Sequence, residues 1–322
     1  MNVSPETTRW LLAHAIKIRR FEETLKRIHQ QKVPGMVHLY IGEEAVAVGV
    51  CAHLRPSDKI TSTHRGHGHA IAKGADVKLM MAELFGKATG YCKGKGGSMH
   101  VADAGLGILG ANGIVGGGLT LATGAGLAMK MQGQGGVAVC FFGDGAANQG
   151  MFHESLNLAK VWNLPVIYVC ENNMYHEFSP SKDVTAATIA GRAAGYDIPG
   201  ITADGMDVLA MHAAAGEAIE RARVGGGPSL IEAQTYRFEG HDEGEFALIG
   251  TRYRADDELA AWVARDPIAQ LTAWALDAGH VSNDDVAAIE QQIADELEAA
   301  IAFADASPLP TPEAAFEHVF AD

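Results

Sequence analysis

The chain has 322 residues, of which 48% are hydrophobic and 20% charged, with a formal net charge of −14. That balance is ordinary for a globular protein with a sizeable core, and it excludes a disordered or low-complexity chain. It also argues against nucleic acid as a partner, because such binding rests on neutralising phosphates with Lys and Arg. Cys51, Cys92, Cys140 and Cys170 are widely separated and form no CxxC pair. They read as reduced thiols of a cytoplasmic protein rather than a disulfide framework or zinc site. The N-terminus lacks a basic start leading into an apolar stretch, so no signal peptide is expected. No uncharged apolar run has the length and character of a membrane span.

In chain order, residues 5–31 form an amphipathic pattern, with Leu11, Leu12, Ile16, Ile18, Phe21, Leu25 and Ile28 along one helical stripe. Residues 42–55, opened by Gly42, Glu43 and Glu44, predict a second helix. A short extended piece at 59–62 precedes a loop dense in His and Gly, and 76–87 returns to helix. Residues 90–118 are glycine-rich and unpatterned, which suggests a long functional loop. A small-residue helix at 119–131 follows, then the apolar run 136–142, as expected of a strand buried on both faces of a parallel sheet. Helix at 150–162, strand at 165–170, helix at 207–223 and strand at 229–235 continue the alternation. Helix is expected around 256–277 and at 282–304, the latter heavily charged and most simply a solvent-exposed face. The pattern predicts an α/β fold, a doubly wound and mostly parallel sheet flanked by helices. One domain over 1–322 is expected, with a helical N-terminal segment (about 1–35) and a C-terminal helical extension (about 256–322).

In such sheets, ligands sit beyond the carboxyl ends of the strands. Asp144 ends one predicted strand between two glycines, and Asn172 and Asn173 end the next. Oxygen donors on neighbouring strand ends suit a hard cation such as magnesium, which favours oxygen ligands and phosphate partners. The glycines allow close approach of an anion, and a helix beginning near Asn148 offers free N–H groups. Gly-Asp-Gly alone is a common turn; the second strand end gives it weight.

Residues 143–150 (GDGAANQG) and 170–173 (CENN) closely resemble the α subunits of the thiamine-diphosphate-dependent E1 family, which includes pyruvate, branched-chain 2-oxo acid and acetoin dehydrogenases. The likeness runs from about residue 10 to 310 and includes 38–40 (HLY), 94–100 (GKGGSMH), 112–116 (NGIVG), Arg65 with His67 and Gly68, and Arg237 with Gly240 and His241. The resemblance implies a thiamine-diphosphate-binding fold in which Asp144 and Asn173 bind Mg2+ by their side chains and Tyr175 by its carbonyl. It implies that Gly145 and Ala146 contact the diphosphate, that Arg65 pairs with it, and that Gly113 and Val115 meet the aminopyrimidine. His38, Arg237 and His241 would lie around the diphosphate and the substrate channel, and His64 is carried with the cofactor-binding set. His67, His241 and His38 are the candidates for catalytic work, since imidazole titrates near neutrality.

The same resemblance implies what is missing. The glutamate that activates the cofactor would belong to a β subunit, giving an α2β2 heterotetramer that serves a lipoyl-bearing E2 acyltransferase. The substrate would be a small 2-oxo acid or acetoin. A transketolase-like half enzyme without a lipoyl carrier, and a structural cofactor-binding subunit, are the other readings.

Other motifs compete for the same residues. The HRGHGH string at 64–69 invites a transition-metal site, against which stand the absence of a carboxylate or Cys cluster and the alternative of loop surface for His64 and His69. The GxGxxG at 105–110 follows no recognisable strand, and the glycines at 90–96 lack the spacing of a phosphate loop. The sequence departs from the family at 174–178, where His176, Glu177 and Phe178 replace small residues, and at 242–254, which is longer than usual. Both stretches fall where the family's substrate channel passes.

Overall fold

The computed structural model describes residues 3–250 and 252–317. Residues 1–2 of the expected N-terminal segment, 251 of the unusual loop, and 318–322 of the C-terminal extension lie outside the described residues. The strands are β1 (Lys59–Thr61), β2 (Ala138–Gly143), β3 (Val166–Asn172), β4 (Tyr175–His176), β5 (Ser179–Pro180), β6 (Gly200–Asp204) and β7 (Ser229–Gln234). Five of them form one sheet in the order β1-β2-β3-β7-β6, every neighbouring pair parallel. The remaining two, β4 and β5, make a small antiparallel hairpin. Alternation in β2 and β3 explains the uninterrupted apolar runs. Val139, Phe141, Ile167 and Val169 face one layer, while Ala138, Cys140, Phe142, Val166, Tyr168 and Cys170 face the other. A strand covered on both sides has no polar face to show.

Helices cover both layers, as a doubly wound sheet requires. One core joins α1 (Pro5–Lys32), α2 (Glu44–Cys51), α3 (His67–Ala72), α4 (Val77–Leu84), α8 (Val208–Arg223), α11 (Pro267–Asp277) and α12 (Asn283–Ala306) to the sheet. The other packs α5 (Gly117–Gln132), α6 (Gly150–Val161) and the 3-10 turn Ala190–Tyr196 against the opposite face. Shorter pieces are α7 (Ser181–Val184), α9 (Glu245–Ile249) and α10 (Asp256–Val263). The N-terminal helix is tied in by charge as well as by its apolar stripe. Arg19 donates to Glu44 at 2.5 and 3.1 Å and to Asp266 at 2.7 Å, linking α1, α2 and α11. Glu44 is wholly buried, so this pair defines a fixed docking angle more than it adds net stability.

Three expectations are corrected. The His- and Gly-rich segment after β1 is not all loop, because residues 67–72 form α3. Gly68 permits this: a Cβ there would stand 2.2 Å from the Tyr40 ring. The segment 256–277 is two helices rather than one. Asp266 caps α11 by accepting from Ile268 N at 2.8 Å, and Pro267 cannot continue a helix from the preceding turn. The edge strand β6 was not expected, since its sequence GITAD carries little apolar pattern and only one of its residues is buried.

Candidate functional site

A cavity of about 330 Å³ opens at the carboxyl ends of β2 and β3. The register pairs Gly143 with Glu171, so Asp144 and Asn173 emerge beside each other, and both line the cavity. Asn172 does not, because its amide donates to buried Glu232 at 2.8 Å. Asp144 Oδ1 accepts from Gly145 N at 3.1 Å, while Oδ2 is buried with no partner among the described residues. Burial raises Asp144 above its ordinary carboxylate value, opposed by His176, Ser181 and the Gly145 N–H. Such an oxygen calls for a cation. Gly145, Ala146 and Tyr175 line the same wall.

The opposite side is basic. Arg65 and Arg237 both face the cavity and are almost wholly buried. Arg65 donates to the carbonyls of Leu39 at 2.6 Å and His241 at 2.9 Å, which leaves other guanidinium N–H groups for an anion. Arg237 donates to the Glu177 carbonyl and, at 2.8 Å, to the Tyr253 hydroxyl, with its Nε unpartnered. Two buried guanidinium groups lining one cavity suit an anionic ligand.

Three histidines gather beside them. The ring centroids of His38, His64 and His241 lie 4.6 to 5.4 Å apart, and the last two line the cavity. Burial, reinforced by neighbouring imidazoles and the two arginines, pushes His38 and His241 down to about 2 and His64 to about 3. All three are therefore neutral at pH 7. His64 is a cavity residue rather than loop surface.

The histidines of the 64–69 string diverge and form no shared metal site. His69 is buried, with Nδ1 2.8 Å from Ser62 Oγ and Nε2 3.0 Å from Glu171 Oε1, to which the Tyr40 hydroxyl also donates. His67 is fully buried between Glu22, 3.1 Å away, and Ser98, 3.0 Å away, and it is not among the cavity-lining residues. Expected as a catalytic group, His67 instead lies outside the cavity lining and links the glycine-rich loop, through Ser98, to Glu22 of α1. Gly113 also falls outside the lining, although Asn112, Ile114 and Val115 belong to it. The glycine-rich loop itself wraps a carboxylate of its own. Buried Glu83 accepts from the backbone N–H groups of Cys92, Gly94, Gly96 and Gly97 at 2.8 to 3.0 Å, leaving that cradle full.

Sequence reasoning missed Glu43 and Gln149. Glu43 accepts from Asn173 Nδ2 at 2.9 Å and faces Arg65 Nε at 3.4 Å. Burial, only partly offset by Arg65, pushes its carboxyl up to about 8. The signal was present: two acids open a helix whose other residues are all apolar or small and buried. His176 and Glu177, the expected channel residues, both line the cavity.

The family described as dehydrogenase E1 component matches residues 13–313. The chain is 54% identical over 315 residues to the alpha subunit of acetoin:2,6-dichlorophenolindophenol oxidoreductase from Bacillus subtilis, covering 96% of this chain and 92% of that one. The same-named subunit of Cupriavidus necator is 52% identical over 303 residues, covering 92% and 89%. The chloroplastic pyruvate dehydrogenase E1 component subunit alpha-3 of Oryza sativa is 41% identical over 315 residues, covering 94% and 73%. With likeness over nearly its whole length, and with acidic and basic walls facing each other across one cavity, this chain belongs to the dehydrogenase E1 component family.

Proposed function

We propose that the chain is the α subunit of a thiamine-diphosphate- and Mg2+-dependent dehydrogenase acting on acetoin or a small 2-oxo acid, with acetoin favoured by the names of the Bacillus subtilis and Cupriavidus necator relatives. The observation that carries this reading is the unpartnered Asp144 oxygen beside Asn173, facing two buried arginines across a cavity of about 330 Å³. A divalent ion bridging to a diphosphate satisfies both walls at once. Asp144, Asn173 and the Tyr175 carbonyl would hold the ion. Gly145 and Ala146 would donate backbone N–H groups to the diphosphate, with Arg65 and Arg237 pairing its charge, and Gly113 and Val115 would meet the aminopyrimidine.

Thiamine diphosphate supplies a nucleophilic carbon and an electron sink for cleaving the bond beside a carbonyl. This chain's residues bind it and orient it. His64 and His241 line the cavity as neutral imidazoles and can hydrogen-bond a bound group there, while His38 packs against both rings. The remainder of the site would come from a β subunit in an α2β2 assembly, and the acyl unit would pass to a lipoyl-bearing E2 acyltransferase. Four free cysteines, three of them buried, are consistent with a cytoplasmic setting. No helix of the described residues is long and apolar enough to cross a membrane.

Co-expression with candidate β chains, then assay on acetoin, pyruvate and branched 2-oxo acids with dichlorophenolindophenol as acceptor, tests the proposal. Turnover is expected only with a β partner, thiamine diphosphate and Mg2+ together. Turnover of sugar phosphates instead would turn the assignment to a transketolase-like enzyme.

A further inference from the structure

Glu43 and Glu44 are neighbours in sequence and part ways in space. Glu44 turns to Arg19 of α1, while Glu43 turns into the cavity. The entry to α2 fixes this divergence. Gly42 holds a φ of 103°, and a Cβ on it would stand 2.3 Å from the Tyr236 carbonyl oxygen, so only glycine fits there. Its N–H donates to Glu44 Oε2 at 3.0 Å, which anchors the turn from which Glu43 projects.

Glu43 stands between the two walls of the site. Oε1 accepts from Asn173 Nδ2 at 2.9 Å, and Oε2 lies 3.4 Å from Arg65 Nε without a hydrogen bond. A carboxamide carries its oxygen and its NH2 at opposite corners. With the NH2 committed to Glu43, Asn173 Oδ1 points away from it, where its contact with Tyr175 N is a long one of 3.4 Å. The flipped amide would set its oxygen against a carboxylate oxygen, acceptor facing acceptor.

Resting on the function proposed above, we infer that Glu43 is a positioning residue for the divalent ion, selecting the Asn173 orientation that offers an oxygen rather than an NH2 to a cation. An amide NH2 carries only donors, and a hard cation takes oxygen. Partners that orient a metal ligand from behind change metal affinity by about 10- to 100-fold. Arg65 sets the polarity of the contact. With its Nε facing Oε2, position 43 meets a donor on each side, which a carboxylate satisfies and a carboxamide does not.

The test uses the full chain assembled with its β subunit and stripped of metal, as parent, Glu43→Gln, Asn173→Asp and the double variant. Calorimetry measures the binding of thiamine diphosphate with Mg2+, and thermal melts confirm that all four are folded. Gln keeps the shape of Glu; with its oxygen drawn to Arg65, its NH2 meets Asn173 and turns that amide round. Glu43→Gln is expected to weaken binding about tenfold or more. A carboxylate at 173 presents an oxygen whichever way it is turned, so in the Asn173→Asp background the same change is expected to cost less than about twofold. Equal losses in both backgrounds would show that Glu43 acts through packing or Arg65 alone, and would overturn the inference, as would no loss from Glu43→Gln by itself. Binding of thiamine diphosphate and Mg2+ that is indifferent to Asp144→Ala removes the underlying function as well.

Discussion

At the residue scale, Asp144 separates function from stability. Its Oδ2 is buried without a hydrogen-bond partner, with the His176 ring 3.6 Å away, so burial works against its charge. Asp144→Asn keeps an oxygen for the Gly145 N–H and removes that charge. The apo variant is expected to melt at the same temperature as the parent or higher. Its affinity for thiamine diphosphate with Mg2+ should fall by more than about 100-fold, since even outer-sphere partners of a metal matter by about 10- to 100-fold. Calorimetry and thermal melts on the same samples check both halves; a variant that loses stability without losing affinity would assign Asp144 to the scaffold. The histidine cluster gives a pH signature. His38, His64 and His241 have folded-state values depressed far below 6.5, so the unfolded chain binds more protons than the native one at mildly acidic pH. Their contribution is fully present above pH 6.5 and is lost as pH falls toward about 2 to 3. The double variant His38→Gln, His241→Gln should therefore show a shallower loss of stability between pH 6.5 and 4 in urea titrations. Equal slopes would mean that these rings do not stay neutral. Asp144 and Asn173 could be read from sequence because each ends an apolar run, a local signal. Glu43 could not, because its place depends on tertiary neighbours, Asn173 and Arg65.

At the scale of elements, the parallel sheet was legible because β2, β3 and β7 are buried on both faces and so admit few charges. The exceptions are informative. Glu171 and Glu232 sit inside buried strands, satisfied by Tyr40 and His69 in one case and by Asn172 and Ala190 N in the other. β6 escaped notice because an edge strand need not be apolar, and α3 because His and Gly mimic a loop. The glycines at 90–96 lack the spacing of a phosphate loop, yet with Gly97 this stretch does cradle an anion, the chain's own Glu83 from α4. A carboxylate supplies acceptor sites for four N–H groups, whereas a carboxamide oxygen supplies half as many and adds donors with nothing to meet. Glu83→Gln is expected to lower unfolding free energy by about 2–4 kcal/mol through the stranded buried donors. Limited proteolysis should then cut first within residues 90–100. A midpoint in urea that does not move would show that water reaches the cradle and replaces the carboxylate.

At the scale of the whole molecule, the cavity is finished on its basic and acidic walls and unfinished at its mouth. Ile114 is 72% exposed and Val115, a lining residue, 47%, with Leu109 and Leu121 exposed nearby. Apolar side chains grouped at the rim of a polar site mark a surface that another chain covers. Under the function proposed above, the apolar rim is the surface that a β subunit would cover. Hydrogen exchange of the chain alone and with its β partner measures this directly. Amides of residues 109–121 are expected to gain protection on assembly, while those of β6, on the far edge of the sheet, stay unchanged. Ile114→Glu should cost most of the affinity between the two chains, because a buried unpaired charge at an interface is expensive, yet leave the melting temperature of the free chain near that of the parent. If residues 109–121 exchange at the same rate with and without the partner, the β subunit approaches from elsewhere, and the exposed rim needs another occupant.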